Sequence, residues 1–470
     1  MWHPPLPLSN ASFTLDVSGI AGFFGGEEAI SAMASVHIYK GRKTLGLYNS
    51  PGSYTVAKKY GQLARSRIWD GLYPGVNVEP AVMLELDGTN GPKYHGVVSG
   101  TVIDNTGHVG HLLETYCSNR LADLRPVEVT GRQARFEEAI IVHLERPAVD
   151  PPELTLPSPY TPLMAFAVIS SNFATCITAA IYGEWLAFAM ILLGIICNGW
   201  ACWVIGSGEL AYERPKSAES SPPGDGFMLT EGRVIILKGR ENAINSITRG
   251  KFLLRYKSAQ KYHDIGISAL ALTAQFLLQL FLIPQANLFG QILFLTSLAV
   301  SYAYNAFLSS IDKEKSQQDI LLRQLEALRP QKFKFTNRTA MGIFTLLAAF
   351  PKDILKNGSA NERDLRMDVA LRTLLPNETP VWDAWGRIVF RELRRLFHEQ
   401  QIPNTEKLQA EEDDIFSASK QDDDGLDEKE KELLNTLLQD ARDGHGVTVK
   451  SRQSLRSPCV RGSAECDLRD

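Results

Sequence analysis

Residues 265–311 read IGISALALTAQFLLQLFLIPQANLFGQILFLTSLAVSYAYNAFLSSI, and this stretch contains no Asp, Glu, Lys or Arg. Pro284-Gln285-Ala286 interrupts it near its middle. The hydrocarbon core of a bilayer is about 30 Å thick, and a helix needs about 20 apolar residues to cross it. The stretch is long enough for two crossings, so we predict a transmembrane hairpin of Ile265–Ile283 and Asn287–Leu308.

A second block of this kind precedes it between Thr161 and Gly208, where Glu184 is the only charged residue. Pro162–Tyr182 and Trp185–Ile205 each have the length of one crossing, with Gly183-Glu184 as the turn between them. The two blocks together predict an α-helical integral membrane protein. Its four transmembrane helices form two hairpins and follow a mixed α/β N-terminal soluble domain.

Charge and composition divide the rest of the 470-residue chain. The residues before the first hairpin contain short strand-like runs separated by turns with Gly and Pro, such as Asn49-Ser50-Pro51-Gly52. They end in a proline-rich linker. Beyond residue 403 the chain is acidic and then rich in Ser and Arg, which predicts a disordered tail. Leu433–Leu438 is a candidate for a short helix within it. The predicted units are an N-terminal mixed α/β domain with its linker (1–160), a hairpin (161–207), a loop with a small βαβ-like insert (208–264), a second hairpin (265–308), a helical region (309–402) and the tail (403–470).

The distribution of Lys and Arg predicts the orientation of these units. Neither hairpin turn contains Lys or Arg, whereas the loop between the hairpins and the segment after the last span contain many. Because loops rich in Lys and Arg stay in the cytoplasm, we predict that both termini and nearly all the soluble mass are cytoplasmic. The sequons that begin at Asn10, Asn337, Asn357 and Asn377 should then carry no glycan, and the six scattered cysteines predict no disulfide framework.

The polar residues of the predicted spans are amides and hydroxyls, and the span cores contain no Asp, Glu, Lys, Arg or His. A proton pump or a voltage sensor needs ionisable groups at this depth, which argues against both classes. We expect the polar residues to make hydrogen bonds between helices. A polar path for a small neutral solute, which would require oligomerisation, is the alternative. The residues concerned include Asn172, Asn198, Gln275, Gln279, Ser297, Ser301 and Asn305.

No pattern in the sequence predicts a catalytic, cofactor-binding or metal-binding residue. Gly52–Lys59 superficially resembles a phosphate-binding loop, but it lacks the second glycine and has Lys59 where a Ser or Thr must bind the metal. His108, His111 and Cys117 could supply three metal ligands, but no fourth ligand is spaced to complete a zinc site. The net charge of −4 argues against nucleic-acid binding.

A basic, aromatic helix is predicted at Val381–Gln400. Apolar residues recur there at helical spacing, and four arginines are interleaved with them. Such a helix suits an anionic cytoplasmic leaflet or an acidic protein partner. The alternative is a helix that packs on the cytoplasmic domain with its arginines in solvent. The residues are Trp382, Trp385, Val389, Leu393 and Leu396 for the apolar face, with Arg387, Arg391, Arg394 and Arg395.

Several short motifs resemble a group of uncharacterised fungal multi-pass membrane proteins. They are Val234–Gly239, Tyr262–Gly266, Tyr304-Asn305, Asp312–Lys315 and Leu374–Trp382. The resemblance covers roughly residues 155–400 and implies a four-span architecture and a fungal source. It implies no activity, cofactor or site residue.

These observations favour a non-enzymatic membrane scaffold or adaptor whose cytoplasmic domains bind protein partners or lipid. The alternative is a subunit of an oligomeric transporter or channel for a small solute, in which the chain would be a homo-oligomer. An enzyme in residues 1–150 would rest only on the globular domain predicted there.

Overall fold

The computed structural model describes residues 7–8, 24–39, 41–64, 66–75, 79–119, 125–126, 137–144, 161–256, 259–325, 330–350, 360–399, 415–417 and 426–456. Helices make up most of this part of the chain. In chain order they are α1 (Gly26–Ile38), α2 (Ser53–Gly61), α3 (Arg67–Leu72), α4 (Pro80–Met83), α5 (Gly107–Asn119), α6 (Thr161–Ile181), α7 (Trp185–Ile205), α8 (Glu241–Thr248), α9 (Ala259–Leu282), α10 (Leu288–Ser309), α11 (Lys313–Gln324), α12 (Arg338–Ala349), α13 (Ala360–Leu374), α14 (Pro380–Glu399) and α15 (Glu428–Arg456).

The strands of the described residues form one large sheet and one ribbon. They are β1 (Lys93–Gly96), β2 (Val102–Ile103), β3 (Arg125–Pro126), β4 (Glu137–Leu144), β5 (Glu209–Glu213), β6 (Gly226–Thr230), β7 (Arg233–Gly239), β8 (Lys251–Arg255) and β9 (Gln331–Phe335). The large sheet has the order β2-β1-β6-β7-β4-β9-β3, and β5 pairs with β8 as a separate ribbon. Within the large sheet β4 runs parallel to β7 and β3 parallel to β9, while the other pairs are antiparallel.

Four helices, α6, α7, α9 and α10, are long and apolar enough to cross a membrane. Their arrangement as two consecutive hairpins confirms the predicted helices, and α7 has the predicted bounds. The second turn is a short 3-10 helix at Ile283–Gln285. The two turns lie together, because the Asn287 side-chain amide donates a hydrogen bond to the Glu184 carboxylate at 2.8 Å. We call this end of the four-helix bundle its closed end.

The large sheet is built from segments that are far apart in sequence. Its interior strand β4 pairs with β7, which lies between the hairpins, and with β9, which follows the second hairpin. The sequence analysis assigned these strands to three separate units (1–160, 208–264 and 309–402). In the structure they share one sheet, and the proline-rich linker that was predicted to separate the first unit lies outside the described residues.

The two faces of the sheet belong to two different apolar cores. On β4, Ile140 and Val142 point into a core that also contains α5, α8 and residues of α7 and α9. Ala139 and Ile141 point to the opposite face, which is covered by α12 to α15. This alternation follows from the two-residue repeat of a strand, and it places the four-helix bundle and the outer helical layer against opposite faces of the sheet.

The outer layer contains part of the predicted disordered tail. Helix α15 packs against α12 and α14, and Leu434, Leu437 and Ala441 are buried there. On α14 the Trp385 indole N–H donates a hydrogen bond to the Leu437 carbonyl at 3.1 Å. The apolar face of α14 is therefore covered within the domain, as the alternative reading of 381–400 predicted. The acidic runs Glu411–Asp414 and Asp422–Asp424 lie outside the described residues.

Candidate functional site in the centre of the helix bundle

The segment between α1 and α2 enters the four-helix bundle. Residues 42–52, which we call the inserted segment, run along α7 from its C-terminal end to its middle. Close approach depends on small residues of α7, because a Cβ atom added to Gly194 would lie 1.9 Å from the Asn49 side-chain oxygen. Residues of the inserted segment lie against α7 or against the residue after it. The neighbouring pairs are Lys43 with Gly206, Gly46 with Cys202, Leu47 with Gly199, and Asn49 with Gly194.

The helices on either side of the inserted segment begin next to each other inside the bundle. Gly25 and Gly52 precede α1 and α2, and both have the left-handed conformation that favours glycine (φ 73° and 71°). A Cβ atom at Gly52 would lie 2.3 Å from the Gly26 Cα atom. The N-termini of α1 and α2 are therefore in direct contact, and both helices lead away from this point.

The α1–α2 pair fills an opening between α9 and α10. These two helices are joined at the closed end, but along their length α9 packs chiefly against α7 and α2, and α10 chiefly against α6 and α1. At the contact, the ring of Phe24 packs against Tyr302 of α10 with ring centres 4.7 Å apart, and the ring of Tyr54 packs against Phe276 of α9 with ring centres 5.2 Å apart. This part of residues 1–160 is thus integrated into the helix bundle, whereas the sequence analysis expected a separate soluble domain.

Asn49 lies at the centre of the bundle and bonds three of its four helices. Its backbone N–H donates to the Asn172 side-chain oxygen at 3.1 Å, and its side-chain amide donates to the Ser297 hydroxyl at 2.8 Å. The Gln279 amide donates to the Asn49 side-chain oxygen at 3.4 Å. We call Asn49 with Asn172, Gln279 and Ser297 the polar centre.

Asn49 lies about halfway along α6, α7 and α10, and Gln279 reaches it from a position three residues before the end of α9. Asn172, Gly194 and Ser297 are each nine residues from the end of their helix at the closed end (Ile181, Trp185 and Leu288). At 1.5 Å per residue this corresponds to about 13 Å. Three helices therefore place their contact with Asn49 at one common level.

Further hydrogen bonds hold the rest of the inserted segment. The Tyr48 hydroxyl donates to Asn305 at 2.9 Å, and Asn305 donates in turn to the Ser50 hydroxyl at 3.0 Å. The Asn198 amide donates to the Gly46 carbonyl at 2.7 Å. One of the interhelical hydrogen bonds expected from the sequence joins α6 to α10 directly. In it the Asn172 side-chain amide donates to the Ser301 hydroxyl at 3.1 Å.

Two buried polar groups beside the inserted segment have no hydrogen-bond partner. Gln275 and Ser53 are 1% and 2% exposed, and the Gln275 side-chain oxygen and the Ser53 hydroxyl are unpaired. The Gln275 amide makes a long contact of 3.4 Å to Gln279. Because unpaired buried polar groups cost about 1–3 kcal/mol each, such positions favour a bound water or another small polar molecule.

Arg42 brings a permanent positive charge to the rim of the bundle. It is 2% exposed, and its guanidinium carbon lies 4.9 Å from the centre of the Tyr304 ring. Its Nε–H donates to the Ser35 hydroxyl at 3.4 Å. A guanidinium over an aromatic face is stabilised by a cation–π interaction, so this pair fixes the entrance of the inserted segment.

The three possible metal ligands named in the sequence analysis are not brought together. His108 Nε2 lies 3.0 Å from the Gln317 side-chain oxygen, and His111 lies 3.7 Å from Glu314. Cys117 is buried in the core beneath the sheet. The described part of the chain contains no group of three His, Cys, Asp or Glu residues that could hold a metal ion.

His37, at the end of α1, should make stability depend on pH. Its Nδ1–H donates to the Gly208 carbonyl at 3.1 Å, and burial lowers its pKa from 6.5 to about 4. Between these values the unfolded chain binds a proton that the folded protein does not, so stability falls as the pH drops. We expect a loss of about 2 kcal/mol between pH 7.5 and pH 5.

Thermal unfolding in detergent at the two pH values measures this loss. His37→Asn can keep the bond to Gly208 without a titratable ring and should lose less stability in acid than the wild type. An equal acid loss in His37→Asn and the wild type would contradict the assignment.

A double-mutant cycle tests the hydrogen bond at the polar centre. For Asn49→Ala and Ser297→Ala we expect a coupling free energy of about 0.6–2 kcal/mol, the range found for polar pairs between membrane helices. Thr296→Ala provides the control, because the neighbouring Thr296 hydroxyl donates to the Ile292 carbonyl of its own helix. Coupling to Asn49 should be near zero for Thr296; equal coupling in both cycles would show that the bond does not contribute.

The polar centre offers hydrogen-bond donors and acceptors from neutral amides and hydroxyls. Such groups can bind a neutral polar molecule or hold the helices in register, and they supply no charged group for acid–base chemistry at neutral pH. The sequence analysis identified the residues of α6, α9 and α10 but missed Asn49. The line of small residues on α7 was the available signal, since such residues mark close backbone approach.

No family model matches the chain, and neither a curated protein nor a solved structure matches it.

Proposed function

We propose that α6, α7, α9 and α10 cross a membrane and that both termini lie in the cytoplasm. Support comes from their apolar composition and from large exposed side chains such as Leu163, Phe281 and Trp203, which need an apolar surrounding. The turns at the closed end contain no Lys or Arg. In this arrangement the inserted segment is a re-entrant loop that reaches the middle of the bilayer from the cytoplasmic side.

Within that membrane the protein acts as a non-enzymatic scaffold or adaptor. The observation that supports this best is the apolar core shared by the bundle and the sheet. Ala201 of α7 and Ala269 of α9 belong to the same core as Ile140 and Ile235 of the sheet. Because the bundle and the sheet share this core, the bundle holds the sheet and its outer helices at a fixed position on the membrane.

The outer helix α14 is the surface that a protein partner would bind. Arg387, Arg391 and Arg394 are exposed along it at helical spacing, while its apolar face is covered by α15. The sheet lies between α14 and the four-helix bundle. This placement favours an acidic protein partner over the anionic lipid that the sequence analysis also considered.

Charge reversal on α14 tests the adaptor proposal. Proximity labelling in cells should lose a defined set of cytoplasmic proteins when Arg387, Arg391 and Arg394 are replaced with glutamate. The matched control replaces three exposed lysines on other surfaces (Lys216, Lys315 and Lys429) with glutamate, which changes the net charge equally. Retention of all labelled proteins in the α14 variant, or an equal loss in the control, would reject α14 as the binding surface.

The polar centre supports a second candidate, a subunit of an oligomeric transporter or channel for a small neutral solute. The unpaired side-chain oxygen of Gln275 and hydroxyl of Ser53 favour it, since they offer hydrogen bonds to a solute within the bundle. The test is the uptake of glycerol or urea by proteoliposomes. Asn49→Leu should change the rate; uptake no faster than in protein-free liposomes would reject this function and leave the adaptor proposal standing.

A further inference from the structure

The short helix α3 exposes two large apolar side chains. Ile68 is 69% exposed and Leu72 is 53% exposed, and they lie four residues apart, on one face of the helix. Trp69 and Tyr73 are buried on the side that packs on α9. The exposed pair therefore faces away from the protein.

Contacts with α9 fix the level of α3 along the bundle. The Trp69 indole N–H donates to His263 at 3.1 Å, and the Tyr73 hydroxyl lies 2.8 Å from the Thr273 hydroxyl oxygen. His263 is 19 residues from Leu282, the last residue of α9 at the closed end, which corresponds to about 28 Å. Thr273 is nine residues from Leu282, which corresponds to about 13 Å. The hydrocarbon core of a bilayer is about 30 Å thick, so α3 begins at the level where α9 would leave the core, and its C-terminal end lies within the core.

Two basic side chains are exposed on α3 and on the helix that packs against it. Arg67 is exposed immediately before Ile68, and Lys58 is exposed on α2, which packs against α3. Asp70 is exposed on α3 as well. Apolar side chains at the level of the acyl chains, with cationic groups beside them, are the features by which interfacial helices bind anionic membranes.

We propose that α3 is an interfacial membrane anchor that binds anionic phospholipid of the cytoplasmic leaflet. Ile68 and Leu72 insert between the acyl chains, and the Arg67 guanidinium binds the phosphate of the headgroup. The anchor fixes α2, the helix that follows the inserted segment, relative to the membrane surface. This inference rests on the membrane insertion proposed above, and it assigns lipid binding to a surface other than α14.

Spin labels on single cysteines test the depth of α3. In nanodiscs, labels at Ile68→Cys and Leu72→Cys should be relaxed more by oxygen than by a water-soluble nickel chelate. Val102→Cys, an exposed apolar position on β2, should show the opposite, and Phe281→Cys on α9 reports on membrane insertion itself. Cys459 and Cys466 are replaced with serine in all variants, since the described cysteines are buried.

The Phe281 label separates the two proposals. If Phe281 is in lipid but both α3 labels behave like Val102, the anchor is rejected and membrane insertion stands. If Phe281 also behaves like Val102, membrane insertion fails and the anchor fails with it. Oxygen-dominated relaxation at all three sites supports both.

Headgroup binding is measured as the affinity for phosphatidylserine in mixed micelles. Arg67→Gln should lower it about fivefold, which corresponds to one basic residue at an anionic surface. Arg387→Gln on α14 removes the same charge from the other basic helix and should leave the affinity unchanged. An unchanged affinity in Arg67→Gln, or an equal loss in Arg387→Gln, would overturn the assignment of lipid to α3.

Discussion

Gly194→Ala is expected to destabilise the protein by about 2–4 kcal/mol. The added methyl group would lie 1.9 Å from the side-chain oxygen of Asn49 and 3.2 Å from the Gln279 amide nitrogen. Asn49 is fully buried and cannot move aside without breaking its bond to Ser297. The variant must therefore either displace the inserted segment or lose the hydrogen bonds of the polar centre, and thermal unfolding in detergent measures this loss.

A second glycine provides the control for this experiment. Gly386 lies within helix α14, and a Cβ atom there would meet nothing within 4 Å. Gly386→Ala should therefore stabilise the protein by about 0.5–1 kcal/mol, the usual gain on replacing glycine within a helix.

Shortening Asn49 should relieve the clash at Gly194. Gly194→Ala combined with Asn49→Ala should lose less stability than the sum of the two single variants. Wild-type stability in Gly194→Ala, or strict additivity in the double variant, would show that the inserted segment does not occupy the position described.

The long helices were predictable because their signal is local. Each is a run of apolar residues with the length of one crossing, and Trp185–Ile205 was predicted with its observed bounds. The inserted segment has no such signal. It contains Arg42 and Lys43, and its burial depends on α7 and α10, which lie more than a hundred residues further along the chain. Its partners could not be inferred from its own composition.

Three of the four residues of the polar centre were predicted from the sequence. The amides and hydroxyls of α6, α9 and α10 were recognised, since a polar residue stands out in an apolar helix. Asn49-Ser50-Pro51-Gly52 was interpreted as a turn, and it does form the turn that precedes α2. What the residues do not show is that this turn lies among the long helices, where Asn49 completes their hydrogen bonds.

The helix in the tail was underestimated for a related reason, since a short helix at Leu433–Leu438 was predicted and α15 covers Glu428–Arg456. Average composition between residues 403 and 470 is strongly polar, and this predicted disorder. Within it, however, Leu434, Leu437, Leu438 and Ala441 recur at helical spacing and are buried. Four apolar residues on one face suffice when α12 and α14 provide a complementary surface, so tertiary packing outweighs composition.

Trp385→Ala is expected to cost about 3–5 kcal/mol, because it removes the largest fully buried side chain of the described residues. It also leaves the Leu437 carbonyl without its indole donor. The cavity would lie between α14 and α15, at the contact that holds α15 to the outer layer. We expect trypsin to cleave α15 at Lys429, Lys431 and Arg442 much faster in this variant than in the wild type.

Trp382 is the matched control, since it is a half-buried tryptophan on the same helix, with its ring centre 5.1 Å from that of Trp385. Trp382→Ala should change cleavage of α15 little, and both variants should leave the four-helix bundle intact.

If Trp385→Ala kept α15 resistant to trypsin, then α15 would be held by α12 alone. Cleavage of α15 together with loss of the bundle would mean that the two cores on either side of the sheet unfold as one unit. Cleavage of α15 alone would show that the outer layer, with the arginine surface of α14, can open while the bundle and the inserted segment remain folded.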